Sequence, residues 1–314
     1  MPSNQLVVGI DSGETKTNVV VMTTGGELVG RATSSARLKG IDDATEALNG
    51  LVTGIVDNPD VVHASVCLSG LHLDTEASLF RQRLRRFEWA RNGLDIEPQP
   101  LAVLRSATLN PNAVAVSCGV ESTAIATNDR GEKWTFASMG SLSGDWGGGI
   151  GLGKAALWHA ARAFDRRGPQ TALTEEIEYE FDMPVEAVIA ALYRGEMPEV
   201  ELGRMAPAVF YAADRGDRVA QQLVERQASE VVAYVRAGTD ALSLTGEVDV
   251  VLADSILAAR NPSLLDQVEE GVLQVLPEAQ ILPAHGEAVV GATLLALQSA
   301  GADRAAIERA AAAF

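Results

Sequence analysis

Only two cysteines, Cys67 and Cys118, occur in 314 residues. Two thiols cannot build a disulfide framework, a cysteine-ligated zinc site or a one-chain iron–sulfur cluster. A reducing cytoplasm is the compartment expected. Histidine is nearly as scarce: His63, His72, His159 and His285 show no metal-ligand spacing, so structural roles are expected for each. Positive charge is in deficit, with 25 Lys and Arg against 42 Asp and Glu and a net charge of −17. That balance excludes a protein that binds nucleic acid by neutralising phosphates, and it argues against adhesion to an anionic membrane. The locally basic Arg81–Arg86, beside Phe87 and Trp89, reads as a solvated helix face. Long apolar runs are also missing. Leu6–Ile10 stops at Asp11 and no basic segment precedes it, so neither a signal peptide nor a membrane span is expected.

What is present is a well-packed globular composition, 47% apolar and 21% charged, in a chain long enough for one large domain or two medium ones. Leu6–Ile10 reads as a strand buried on both faces, Asp11–Thr17 as a polar turn and Asn18–Met22 as a second strand. Thr24–Gly26 turns the chain into Glu27–Ala32, which completes an antiparallel meander. A helix over Asp42–Val56 and a strand over Val61–Leu68, ended by Ser69–Gly70, follow. About one hundred residues on, the pattern returns. Ala113–Ser117, a turn at Cys118–Ser122, Thr123–Thr127, a turn at Asn128–Gly131 and Trp134–Phe136 repeat the meander and predict two similarly built lobes. Beyond Gly153 the spacing predicts helices over Lys154–Phe164, Leu173–Glu180, Val185–Leu192, Val200–Ala213 and Arg218–Leu242. Strands are expected at Val248–Leu252 and Gln280–Leu282, with closing helices over Glu287–Ser299 and Ala302–Ala313.

Two motifs carry chemistry. Asp11–Ser12–Gly13–Glu14–Thr15–Lys16–Thr17 places small residues between buried strands. Its backbone N–H groups can cradle a phosphate, its hydroxyls can add donors, and Asp11 at a strand end can hold Mg²⁺ through water. A plain polar hairpin is the competing reading. Ser143–Gly144–Asp145–Trp146–Gly147–Gly148–Gly149–Ile150–Gly151–Leu152–Gly153–Lys154 sets six glycines and one carboxylate before a helix. That suits close backbone approach to a ligand at a helix N-terminus.

Asp-x-Gly-x-Thr-x-Thr, the later Gly-Asp-x-Gly and the turn at Gly119 resemble the acetate kinase–sugar kinase–Hsp70–actin superfamily. Within it, the chain resembles the branch of N-acetylglucosamine kinases and activator ATPases of benzoyl-CoA reductase. Ser69–Gly70–Leu71, Ala212–Ala220, Pro283 and Gly291–Leu297 extend the resemblance over almost the whole chain. It implies an α/β fold of two actin-like, ribonuclease H-like lobes around an interlobe cleft. The first lobe is expected at 1–105 with the C-terminal helix 301–314, and the second at 106–300. The resemblance further implies ATP and Mg²⁺, a sugar substrate and a homodimer. Asp11, Ser12, Gly13, Glu14, Thr15 and Lys16 would form the first phosphate loop, with Asp11 at the metal, and Gly119 and Ser122 the second. Val250–Ile256, including Asp254 and Ser255, and the helix at Gly291 would border adenosine. Gly70, Arg105, Gly144 and Asp145 would face the sugar, with Asp145 contacting its hydroxyls.

Four positions depart from the family pattern. Glu121 stands where the second loop has glycine, and Asp254–Ser255 replaces a Gly-Gly. The catalytic base is expected near Leu104–Arg105–Ser106, where Arg105 cannot accept a proton. A sugar-binding Asn is missing from Ser34–Arg37. These departures imply weak or absent activity toward N-acetylglucosamine itself. The leading expectation is ATP-dependent phosphorylation of an amino sugar, with Asp145 or an unaligned carboxylate as base. The alternative is a catalytically degenerate relative that binds a sugar or sugar phosphate. The activator ATPases need cluster cysteines, and neither Cys67 nor Cys118 lies in that context.

Overall fold

The structure, a computed structural model, describes residues 5–13, 16–35, 40–57, 60–71, 73–284 and 286–314. Contacts divide the chain into Met1–Asn110 with Ala284–Phe314, and Pro111–Pro283. Each unit is built on a five-stranded mixed sheet.

The first sheet comprises β1 (Leu6–Ser12), β2 (Thr17–Thr23), β3 (Leu28–Ser34), β4 (Val61–Leu68) and β5 (Leu94–Pro98), in spatial order β3-β2-β1-β4-β5. β1 to β3 form an antiparallel meander, while β4 and β5 run parallel to β1. β1 and β2 are buried along almost their whole length, as unbroken apolar runs require. On one face, Leu48 and Val52 of helix Gly40–Ile55 close over Val8, Ile10, Val19 and Val21. On the other, helix Ala288–Ser299 covers Val7, Val20 and Met22.

That last helix falls within the first unit, whereas the sequence reading ended the second lobe at 300. The reason is local. Gly9 has no Cβ to collide with Thr293, and Gly291 none to collide with the backbone of Ala102, so the helix lies directly on β1 and on helix Gln99–Ala107. Gly291 is thereby closed by protein. The helix was expected to border adenosine; at Gly291 itself the close approach is to helix Gln99–Ala107.

The second sheet repeats the first. β6 (Ala113–Cys118), β7 (Ser122–Thr127), β8 (Lys133–Thr135), β9 (Asp249–Ala253) and β10 (Gln280–Pro283) lie in the order β10-β9-β6-β7-β8. Again two antiparallel pairs precede two parallel ones. Helix Arg218–Leu242 is N-capped by Asp217, whose carboxylate accepts from the Ala220 N–H at 2.9 Å. Gly238 lets this helix press on Ala126 and Trp134.

Helix Gly148–Phe164 begins six residues before the expected Lys154 and runs through the glycine-rich segment. Among the described residues, no helix is long and apolar enough to cross a membrane, and no group of three or more His, Cys, Asp or Glu could hold a metal ion.

Candidate functional site

β1 and β2 meet in a closed hairpin. The Gly13 N–H donates to the Lys16 carbonyl at 2.9 Å, and the Ser12 and Thr17 hydroxyls pair at 2.9 Å. Asp11 is 5% exposed and stands opposite Asn18, whose Oδ1 accepts from Thr33 Oγ1 at 2.9 Å. Lys16 is exposed. Glu14 and Thr15 lie outside the described residues, so the expected phosphate loop is seen only at its two ends.

The register of the parallel strands adds a residue that the sequence reading missed. Asp11 pairs across to Cys67, and Cys67 to Glu97, so the three form one row near the carboxyl ends of β1, β4 and β5. Residues in one row point to one face, and two strand spacings put Glu97 about 10 Å from Asp11. Ligands of open α/β sheets gather at this edge. Glu97 escaped notice because β5 was not predicted; Pro98 and Pro100 obscured the junction between strand and helix.

The residues expected near the catalytic base behave differently. Leu104, Arg105 and Ser106 lie in the last turns of helix Gln99–Ala107. Arg105 is 9% exposed and donates to the Asn110 carbonyl at 2.8 Å, holding the chain that leaves the helix. At least one of its N–H groups is thus committed to the protein's own backbone rather than to a ligand. Gly70, at the end of β4, takes φ +68 and is exposed.

In the second unit, the β6–β7 turn and the glycine run are joined backbone to backbone. The Gly149 N–H donates to the Gly119 carbonyl at 2.7 Å, and the Ile150 N–H to the Val120 carbonyl at 3.0 Å. The Gly148 N–H donates to Gln227 Oε1 at 3.1 Å. These amides at the start of helix Gly148–Phe164, expected to meet a ligand, are spent on the protein. The glycines serve this contact: a Cβ on Gly148 would lie 2.8 Å from the Glu121 backbone, and one on Gly153 would collide with Leu202.

The side chains before that helix remain available. Gly144 takes φ +82, and Asp145 is half-buried, its Oδ2 accepting from Ser143 Oγ at 2.8 Å. Asp145 borders a pocket of about 460 Å³ with Glu121, Ser122, Trp146, Lys154 and Trp158. Arg226 lies over the Trp146 ring, 4.2 Å from its centroid. His159 meets Trp158 edge-on at 4.6 Å, and burial, aided by the charge of Arg162, holds its pKa below the ordinary value. An aromatic wall beside a carboxylate suits a ligand with apolar C–H faces and hydroxyls, which describes a sugar ring.

Ser122 is buried, and its hydroxyl donates to Cys118 Sγ at 3.5 Å. Burial pushes the Cys118 thiol up to about 12, so it is an inert core residue. Asp254 follows β9 in the left-handed conformation, φ +68, against Gly119: a Cβ on Gly119 would lie 3.3 Å from Asp254 Cβ. Loss of hydration raises the Asp254 carboxyl pKa, and the Ser117 hydroxyl partly opposes this. Asp254 as a residue still keeps an exposed edge, as does Ser255 beside it.

Two sheets of one strand order, each with its first hairpin turn at the carboxyl edge of its parallel strands, define an actin-like α/β fold. The profile of the BadF/BadG/BcrA/BcrD ATPase family matches residues 8–296, and the chain belongs to that family. ATP is the nucleotide for which the family is named. An N-acetyl-D-glucosamine kinase of Dictyostelium discoideum is 25% identical, with 95% of this chain and 99% of that one covered. An N-acetylmuramic acid/N-acetylglucosamine kinase of Clostridium acetobutylicum is 21% identical over 92% and 97% of the two chains. A solved structure from Chromobacterium violaceum, provisionally described as an N-acetylglucosamine kinase, superposes with a TM-score of 0.70 at 22% identity, covering 94% and 99%.

Proposed function

We propose that this protein is an ATP-dependent kinase that phosphorylates a hydroxyl of an amino sugar, N-acetylglucosamine or a close relative. The observation that carries the reading is the pocket where Asp145 meets Trp146 and Trp158 beside the second turn. The names borne by the relatives from Dictyostelium and Clostridium support it. Asp145 accepts hydrogen bonds from sugar hydroxyls, and the indoles cover the ring.

Phosphoryl transfer moves the terminal phosphoryl of ATP to the hydroxyl oxygen, while the hydroxyl proton goes to a carboxylate. Asp145 and Glu97 are the candidate bases. Asp11, Ser12 and Gly13 belong to the phosphate turn. Mg²⁺ is usually held by one or two carboxylates plus substrate phosphates rather than by a protein cage, and the Asp11 carboxylate near the end of β1 is a donor of that kind. Asp11, nearly buried at a strand end, would hold the ion through water, and the cation's charge would neutralise that of the phosphates. A homodimer in the cytoplasm is part of the proposal.

The second reading, a sugar-binding relative without turnover, is favoured by one observation: Glu121 and Asp254 bring carboxylates to the second turn, where they would repel a triphosphate. ADP release with Mg-ATP and a panel of amino sugars separates the readings. The two candidate bases are separated by variants. Replacing the base should lower kcat roughly 10²–10⁴-fold, whereas replacing a residue that only binds the sugar should chiefly raise KM. Glu97→Gln and Asp145→Asn are therefore expected to differ in which constant they change; if both leave kcat and KM at native values, neither residue belongs to the site.

A further inference from the structure

Gln227 sits where helix Arg218–Leu242 should be apolar. Its neighbours on the inner stripe are Leu223, Val224, Ala228, Val231 and Val235, and Gln227 itself is 0% exposed. A buried amide is costly unless both its ends are hydrogen-bonded. Here both are. Oε1 accepts from the Gly148 N–H at 3.1 Å, and Nε2 donates to Cys118 Sγ at 3.6 Å. The orientation is fixed chemically, because the Gly148 N–H can only donate and so must face the amide oxygen.

The two partners are the ends of the two segments that make the pocket. Cys118 closes β6 and leads into the turn that carries Glu121 and Ser122. Gly148 opens the helix that follows Asp145, Trp146 and Gly147. Gly147 takes φ +104, and a Cβ there would lie 2.7 Å from Gln227 Oε1, so the turn is fitted around this side chain. The adjacent Arg226 holds the Trp146 indole from the same helix.

We propose that Gln227 is a positioning residue for the sugar pocket. It acts through Gly148 and Cys118, fixing the segment that bears Asp145 against the β6–β7 turn, and it does not itself touch substrate. The inference rests on the amino-sugar kinase reading for its kinetic consequence, and on the hydrogen bonds alone for its structural one.

The test compares Gln227→Met, which keeps the length but has no oxygen acceptor, with Gln227→Glu, which keeps an acceptor for Gly148. The Met variant should unfold cooperatively. Hydrogen exchange in the peptide containing Gly148 should accelerate at least tenfold, with exchange in the first unit unchanged. KM for the sugar should rise about tenfold, which equals about 1.4 kcal/mol, while KM for ATP moves far less. The Glu variant should bind sugar as the native protein does at low pH. Its KM should then climb as the buried carboxyl ionises, a pH dependence that loss of packing would not create. Native exchange at Gly148 and native KM in the Met variant would overturn the proposal, as would a flat, native KM profile in the Glu variant. Should the Met variant fail to fold, the Glu profile decides. If the native protein turns over no amino sugar, the kinase reading fails, and the exchange at Gly148 still decides whether Gln227 holds the segment.

Discussion

Asp254 shows how one side chain can work against the state it occupies. Its φ of +68 is a region that L-residues pay to enter, Asp and Asn less than most. Its carboxyl pKa is raised by lost hydration. The folded chain therefore holds the proton more tightly than the unfolded chain does. The stability this confers is complete below the ordinary carboxylate range and is lost as pH rises through the raised folded value. Asp254→Asn keeps the shape and the tolerance for positive φ but removes the charge. Its melting temperature should exceed that of the native protein at pH 8, and the difference should shrink toward pH 4; a difference constant with pH would show that Asp254 ionises freely. Asp254 was legible in the sequence as a departure from glycine, but its stacking on Gly119 was not, because that contact joins residues 135 positions apart. Gln227 was not legible at all. A lone Gln on an amphipathic helix looks like solvent-facing polarity, and only burial reveals it as a strut.

At the scale of elements, two helices contain glycines with opposite duties. In Gly40–Ile55, Gly50 has no atom within 4 Å of where its Cβ would sit. Gly50→Ala should stabilise the protein by about 0.5–1 kcal/mol, by helix propensity and reduced unfolded-state entropy. In Gly148–Phe164, Gly153 packs against the backbone of Leu202, where a methyl group has no room. Gly153→Ala should cost about 2–3 kcal/mol. Denaturant midpoints measure both, and two changes of the same sign would contradict the packing described. The same contrast separates the local signals in the sequence from the tertiary ones. The strands β1, β2, β6 and β7 and the helix Arg218–Leu242 were legible, because their hydrophobic periods are local signals. The glycine run was read as a loop for a ligand, since low helix propensity is local too. Tertiary contact with Gly119, Val120 and Leu202 overrides it. β5 and helix Gln99–Ala107 were missed for the converse reason: the prolines at 98 and 100 look like breakers, yet one ends a strand and the other sits in a helix's first turn, where no amide hydrogen is needed.

The whole molecule is one topology written twice, and its chemistry is divided unequally between the copies. The two sheets share a strand order, so the weak repeat in the sequence is a repeat of architecture. The last-but-one residue of β1 is Asp11; the corresponding residue of β6 is Ser117. In the proposed kinase the first unit would supply the phosphate-side carboxylate, Asp11, with Glu97 in the same row. The second brings the aromatic pocket with Asp145. A kinase needs both kinds of site, whereas a sugar sensor needs only the second. The direct test is steady-state ADP release by the native protein with Mg-ATP and each amino sugar, with Asp11→Ala and Asp145→Asn alongside. Sugar-dependent turnover at an ordinary kinase rate of about 1–100 per second is expected with at least one amino sugar, lost in Asp11→Ala and impaired in Asp145→Asn. Amino sugars that bind in calorimetry yet release no ADP from the native protein at any concentration would contradict it.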